Sequence, residues 1–125
     1  MKRDINKILN AYLVCALWSS YDDDDAPFDL TFGIEEFSVD FINNTTISIN
    51  NFLALIEQNK LTKSLNRWDD AQLGHDLWLT RNYHGTGFWD RNFKDGDKIT
   101  SLIHTDGELR EINLFVTDNN EVDGE

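Results

Sequence analysis

Asp69-Asp-Ala-Gln-Leu-Gly-His-Asp-Leu-Trp-Leu-Thr-Arg-Asn-Tyr-His-Gly-Thr-Gly-Phe-Trp-Asp90 is the stretch on which the fold turns. Asp69 with Gln72 three residues on has the spacing of a capping box, in which each side chain satisfies the other's backbone N–H. Leu73, Leu77, Trp78 and Arg81 then recur at helical spacing, and Asn82 is placed to end the helix. Gly85-Thr-Gly87 reads as a turn, and Phe88-Trp89 as the entry to a short strand.

On the N-terminal side, Ile5, Ile8, Leu9, Tyr12, Leu13, Ala16 and Leu17 predict a helix capped by Asp4 and ending near Ser19-Ser20. Its second half is apolar on most sides, as in a buried helix. Tyr21 to Pro27 holds four adjacent aspartates and the only proline, and reads as a solvated loop. A helix is expected from Ser38, with Val39, Ile42, Thr46, Ile49, Leu53 and Ile56 inward. The β-branched run Thr45 to Ile49 leaves a strand as the alternative there. On the C-terminal side, Asp97 to His104 fits a short helix. Glu111 to Thr117 alternates as a strand, with Ile112, Leu114 and Val116 on one face. Asp118-Asn-Asn-Glu121 is a turn that closes a hairpin with the last residues. The fold class is therefore α+β, one domain over residues 1–125, with three or four helices packed on a small C-terminal antiparallel sheet or hairpin.

Charge is unevenly spread along the chain. The net charge is -12, from 23 acids and 11 bases. No Lys or Arg occurs from Ile8 to Asn59, a stretch holding Asp22, Asp23, Asp24, Asp25, Asp29, Glu35, Glu36, Asp40 and Glu57. From His104 onward there are seven acids against Arg110 alone. Such a chain repels nucleic acid and anionic lipid and attracts basic partners. No run is long and apolar enough to span a bilayer, and Asp4, Asn6, Lys7 and Asn10 interrupt what would be the apolar core of a signal peptide. The expected location is the cytoplasm. The single cysteine, Cys15, sits in an apolar run and reads as a small buried hydrophobe.

The segment Gly74 to Asp90 resembles a family of small bacteriophage proteins carrying Gly-His-Asp-Phe-Trp-Leu-Thr-Arg-Asn-Gly-His-Gly-Ala-Gly-Phe-Trp-Asp-Arg. Ala16-Leu-Trp-Ser-Ser20 followed by acids is similar to that family's first helix. Ile112-Asn-Leu-Phe-Val116 is similar to its last strand. Tyr83 and Thr86 stand where the family has small residues, and residues 40–66 match loosely. The resemblance implies a phage origin and a shared fold, with the host cytoplasm as the place of action. It brings no activity with it.

Two function classes follow. The first is a non-catalytic binding protein, a phage accessory that inhibits a host nucleic-acid-binding or defence protein. It would do so by imitating the phosphates of nucleic acid with carboxylates. Its expected partner is a basic host protein, and it needs no cofactor, metal or membrane. The expected binding residues are the acids Asp22–Asp25, Asp29, Glu35 and Glu36, together with Arg81, Asn82 and Trp89. The second is a small enzyme or ligand- or metal-binding protein using His75, Asp76, His84 and Asp90, where two imidazoles and two carboxylates offer acid–base or metal-ligating chemistry. Against these stands a purely structural use of the motif. There the histidines bond to carbonyls, Arg81 pairs with Asp90, and Gly85 and Gly87 supply special backbone shapes. Trp78, Phe88 and Trp89 could stack bases, although the surrounding charge opposes phosphate. The acidic loop lacks the glycine and bidentate glutamate of an EF-hand. No P-loop, nucleophile elbow, zinc-helix or cysteine-pair motif occurs.

Overall fold

The computed structural model describes residues 3–125. It is an α+β fold. Its helices are α1 (Ile5–Ser19), α2 (Val39–Gln58), α3 (Thr62–Leu65), α4 (Asp70–Arg81) and α5 (Gly96–Thr105), followed by an antiparallel hairpin of β1 (Leu114–Val116) and β2 (Val122–Gly124). Leu114 lies opposite Gly124, and Val116 opposite Val122.

Both caps that the sequence marks form, and Ser38 caps the helix expected from it. Asp4 accepts from the Asn6 and Lys7 amides, Ser38 from Phe41, and Asp69 from Gln72 with the reciprocal bond returned. Each satisfies backbone donors that a helix start leaves open. The β-branched run Thr45 to Ile49 is helical, so the strand alternative falls. The buried face of α2 is Phe41, Thr45, Ile49, Phe52 and Ile56, turned from the expected one, and Val39 stands in solvent.

α1 and α4 run parallel and in close contact. Arg3 donates to the carbonyls of Leu65 and Trp68 at the start of the pair, Cys15 Sγ lies 3.7 Å from the His75 carbonyl midway, and Trp78 Nε1 donates to Ser19 Oγ at its end. Burial pushes the Cys15 thiol up to about 12, helped by the nearby Asp76 charge. Gly74 allows the approach, because a Cβ there would sit 2.2 Å from the Ile8 carbonyl oxygen. α5 runs the same way, from Asp95 (bonded to Ser64) to His104 (bonded to the Thr80 carbonyl). α2 runs oppositely: its first turn meets the hairpin through Ser38 N–H to Val122 C=O, and its last turns border the cleft beside Arg3 and Ile5. The core is one apolar cluster centred on Ile8, Tyr12, Phe52, Trp68, Leu77, Trp78 and Phe88.

Two expectations need correction. Phe88–Asp90 is a 3-10 turn and not a strand, because the Asp90 carboxylate folds back onto the Gly87 N–H at 3.1 Å. Val116, expected inward with Ile112 and Leu114, is exposed.

Candidate functional site

The polar residues of the α4 motif act mostly as ties between elements. The Asp76 carboxylate is fully buried and accepts a bidentate pair from Arg91, 2.6 Å from Nη2 and 2.9 Å from Nε. Its Oδ2 also accepts from Trp68 Nε1 at 2.9 Å. Such charge-assisted forks fix geometry as well as adding energy. His75 is half-buried with its ring against Trp18, centroids 5.5 Å apart. Burial holds its pKa below the usual histidine range, with Asp76 opposing and Arg91 adding to the effect. The Asp90 carboxyl accepts from the Thr86 hydroxyl and the Gly87 N–H, and the Thr86 bond leads in holding its pKa low. Asn82 ends α4 by donating to the Trp78 carbonyl, and its Oδ1 accepts from the Ile112 N–H at 2.8 Å, tethering the approach to β1.

Arg81 does not pair with Asp90. It is 2% exposed and donates to Tyr12 Oη (3.1 Å) and to the carbonyls of Arg110 and Glu108. A residue expected on a binding surface is thus a buried tie at the end of α4, where carbonyls and the helix dipole offset its charge. The histidine that meets a carbonyl is His104, with neither His75 nor His84 in that role. Gly85 and Gly87 avoid the left-handed region, which Tyr83 occupies instead with φ 57°. Trp78 and Phe88 are buried, so they form no base-stacking platform, and Trp89 is half-buried beside the start of α5. His75, Asp76, His84 and Asp90 therefore do not meet at one centre. Among the described residues, no three of His, Cys, Asp and Glu are grouped to hold a metal.

The acids, in contrast, are brought together. α1, α4 and α5 all end at one pole, where α2 begins and the hairpin lies. To this pole belong the exposed Asp23, Asp24, Asp25 and Asp29, the half-exposed Asp22 and Glu36, and exposed Glu35 and Asp40. The C-terminal acids Asp106, Glu108, Glu111, Asp118, Glu121, Asp123 and Glu125 join them. Among the described bases, Arg81 and Arg110 lie with them and Arg91 is taken up by Asp76. Arg3, Lys7, Lys60, Lys63, Arg67, Lys94 and Lys98 sit towards the other pole. Asp22 shapes the loop by accepting from the Asp24 and Ala26 amides. The same pole carries the exposed large hydrophobics apart from Val14 and Ile47: Trp18, Tyr21 (63%), Leu30 (74%), Val39 (71%), Tyr83, Phe115 and Val116.

Three concavities open here, one of them a hollow of about 240 Å³ lined by Tyr83, His104, Asp106 and Arg110. A cleft of about 390 Å³ between α2 and the hairpin has Asn44, Ser48, Glu108 and Glu125 on its walls and the already bonded Arg81 on its floor. A groove of about 210 Å³ lies between Ser19–Tyr21 and Glu111–Leu114, with Asn82 and His84 beneath. The sequence reading missed this groove and the Asp76–Arg91–Trp68 tie. Arg91 follows the motif directly, but nothing local links it to a carboxylate fifteen residues earlier.

Comparison with protein-family models, with curated proteins and with solved structures gives no match. The function is therefore argued from the chain's own residues. Among the described residues, no helix is long and apolar enough to cross a membrane.

Proposed function

We propose that this protein acts by binding, with its acidic pole as the contact face and a basic protein as its partner. One observation carries the reading. Fifteen of the 23 carboxylates and most of the exposed large side chains occupy the same end of the helix bundle, where Arg110 is the one exposed base among the described residues, while seven of the other bases lie towards the opposite end. Acidity that served solubility alone would not need segregation, nor a matching set of exposed Leu30, Val39, Phe115 and Val116. Carboxylates steer a basic partner in and set the register, and the apolar side chains between them supply contact area that water disfavours. A basic surface that binds nucleic acid fits such a face, so the protein would compete with nucleic acid for it. This accords with the resemblance to phage proteins and with action in the host cytoplasm.

The test is affinity capture by the tagged protein from nuclease-treated bacterial lysate at about 0.1 M and about 1 M salt, where the screening length falls from about 10 Å to about 3 Å. A stoichiometric nucleic-acid-binding protein is expected at low salt. It should be lost at high salt and lost from the triple variant Asp23→Asn, Asp24→Asn, Asp25→Asn. Capture indifferent to both salt and variant would overturn the proposal, as would no specific partner at either salt.

A further inference from the structure

Strand geometry at the acidic pole specifies how a partner docks. In an antiparallel pair, successive residues turn their N–H and C=O alternately towards and away from the neighbouring strand. Asn113 and Glu125 exchange both bonds, at 2.9 and 3.0 Å, and Thr117 N–H donates to the Glu121 carbonyl at 2.8 Å. Leu114 and Val116, opposite Gly124 and Val122, therefore turn their backbone groups away from β2. Those groups make no hydrogen bond among the described residues. The other side of the hairpin is closed, since Val122 bridges Phe37 and accepts from the Ser38 N–H. Among the described residues β1 is thus the open edge of the hairpin; it is blunted only by its three-residue length, since Phe115 and Val116 are exposed and no proline or lysine stands on it.

Across the groove, Tyr21 has the same property. Its bridge to Pro27 is flanked by Asp22 N–H to the Ala26 carbonyl and Phe28 N–H to the Ser20 carbonyl, which leaves the Tyr21 N–H and C=O pointing outward. Both walls of the 210 Å³ groove thus offer free backbone donors and acceptors.

We propose that this groove takes an extended, basic segment of the partner protein, which adds to β1 as a third strand. The inference rests on the acidic-pole reading, and the charge of the groove's surroundings selects the occupant. Glu111 lies on one wall, Asp22–Asp25 follow Tyr21 on the other, and Asp118 stands at the hairpin turn. A second copy of this chain would set those acids against each other. A lysine- or arginine-bearing strand is attracted by them, and its alternate apolar side chains pack on Val116.

The probe is a ten-residue peptide of alternating Lys and Val, tested beside two versions N-methylated at every second residue, one in each register. Methylation removes amide donors from one edge and leaves the charge unchanged. Amide NMR shifts are expected at Tyr21, Leu114 and Val116. The register that strips the donors facing β1 should weaken binding about tenfold or more, the sum of two or three lost hydrogen bonds, and the register facing the single Tyr21 carbonyl should weaken it markedly less. Val116→Pro removes a donor that the hairpin does not use and should weaken the unmethylated peptide similarly, with thermal stability retained. If both registers bind alike, with shifts confined to Asp22–Asp25, the groove proposal falls while the acidic-pole reading stands. If neither this peptide nor polylysine binds at low salt, both fall. A dimer seen by sedimentation and abolished by Val116→Pro would give the edge to a second copy and overturn the proposal.

Discussion

At the residue scale, Asp76 carries the most. It is a carboxylate without solvent contact, held by the Arg91 fork and by Trp68 Nε1. Replacing it with Ala strands the buried Trp68 donor and removes the counter-charge of Arg91. Breaking a buried pair from one side costs about 3–5 kcal/mol. Arg91 is partly exposed and can turn to water, so Asp76→Ala is expected near the lower end, about 3 kcal/mol by urea denaturation. Asp76→Asn keeps an acceptor for Trp68 and should cost about half as much. A loss under about 1 kcal/mol for the Ala variant would show that the tie is dispensable. His75 supplies a pH dependence. Burial lowers its pKa in the folded protein, so between that value and the ordinary 6.5 the unfolded chain binds a proton that the folded one does not. The stability linked to His75 is therefore fully present above about pH 6.5 and declines as pH falls through that window. The difference in unfolding free energy between the wild type and His75→Gln should shrink or change sign from pH 7.5 to about pH 5.5. A constant difference would remove the effect.

At the scale of elements, the α1–α4 contact sets the frame. Its prediction is Gly74→Ala. The added carbon would meet the Ile8 carbonyl at 2.2 Å, backbone against backbone, so the helices must part along a face that includes Tyr12 and Leu77. Overpacking costs typically about 1–3 kcal/mol, and with no flexible side chain to yield, about 3 kcal/mol is expected by urea denaturation. A neutral result would mean that the helices slide apart freely. How far the sequence revealed these elements follows from how local their causes are. The helices begin at Asp4, Ser38 and Asp69 because a side chain two or three residues away caps them, and that is readable. The hairpin is readable from alternation and the Asp118–Glu121 turn. The helical state of Thr45–Ile49 is decided by what Thr45 and Ile49 bury against, which outweighs β-branched stiffness. The four-residue α3 has too few residues to show a period. At the candidate site, the acids were readable as a list but not as a pole. Their gathering depends on α1, α4 and α5 ending together. The groove between Tyr21 and Leu114 joins segments some ninety residues apart and leaves no local mark.

At the scale of the whole molecule, the same segregation that suits a basic partner has a cost in the free protein. Asp22–Asp25, Glu35, Glu36 and the C-terminal acids crowd the pole where the negative dipole ends of α1, α4 and α5 also point. Like charges that folding brings together oppose folding, and salt relieves them once the screening length falls below their separation. The melting temperature should therefore rise from about 0.01 M to about 1 M sodium chloride, where the screening length drops from about 30 Å to about 3 Å. Salt also strengthens apolar burial in general, so the rise alone does not locate the repulsion. The triple variant Asp23→Asn, Asp24→Asn, Asp25→Asn does. It should melt higher than the wild type at low salt, and the two should converge as salt rises. Its opposite-pole control, Lys60→Gln with Lys63→Gln, should not. Parallel curves for wild type and triple variant would mean that the loop aspartates feel no field from the rest of the pole. A partner would then meet a scatter of separate charges. Convergence would show that these carboxylates act on one another as a single electrostatic face, which a basic partner can neutralise when it binds.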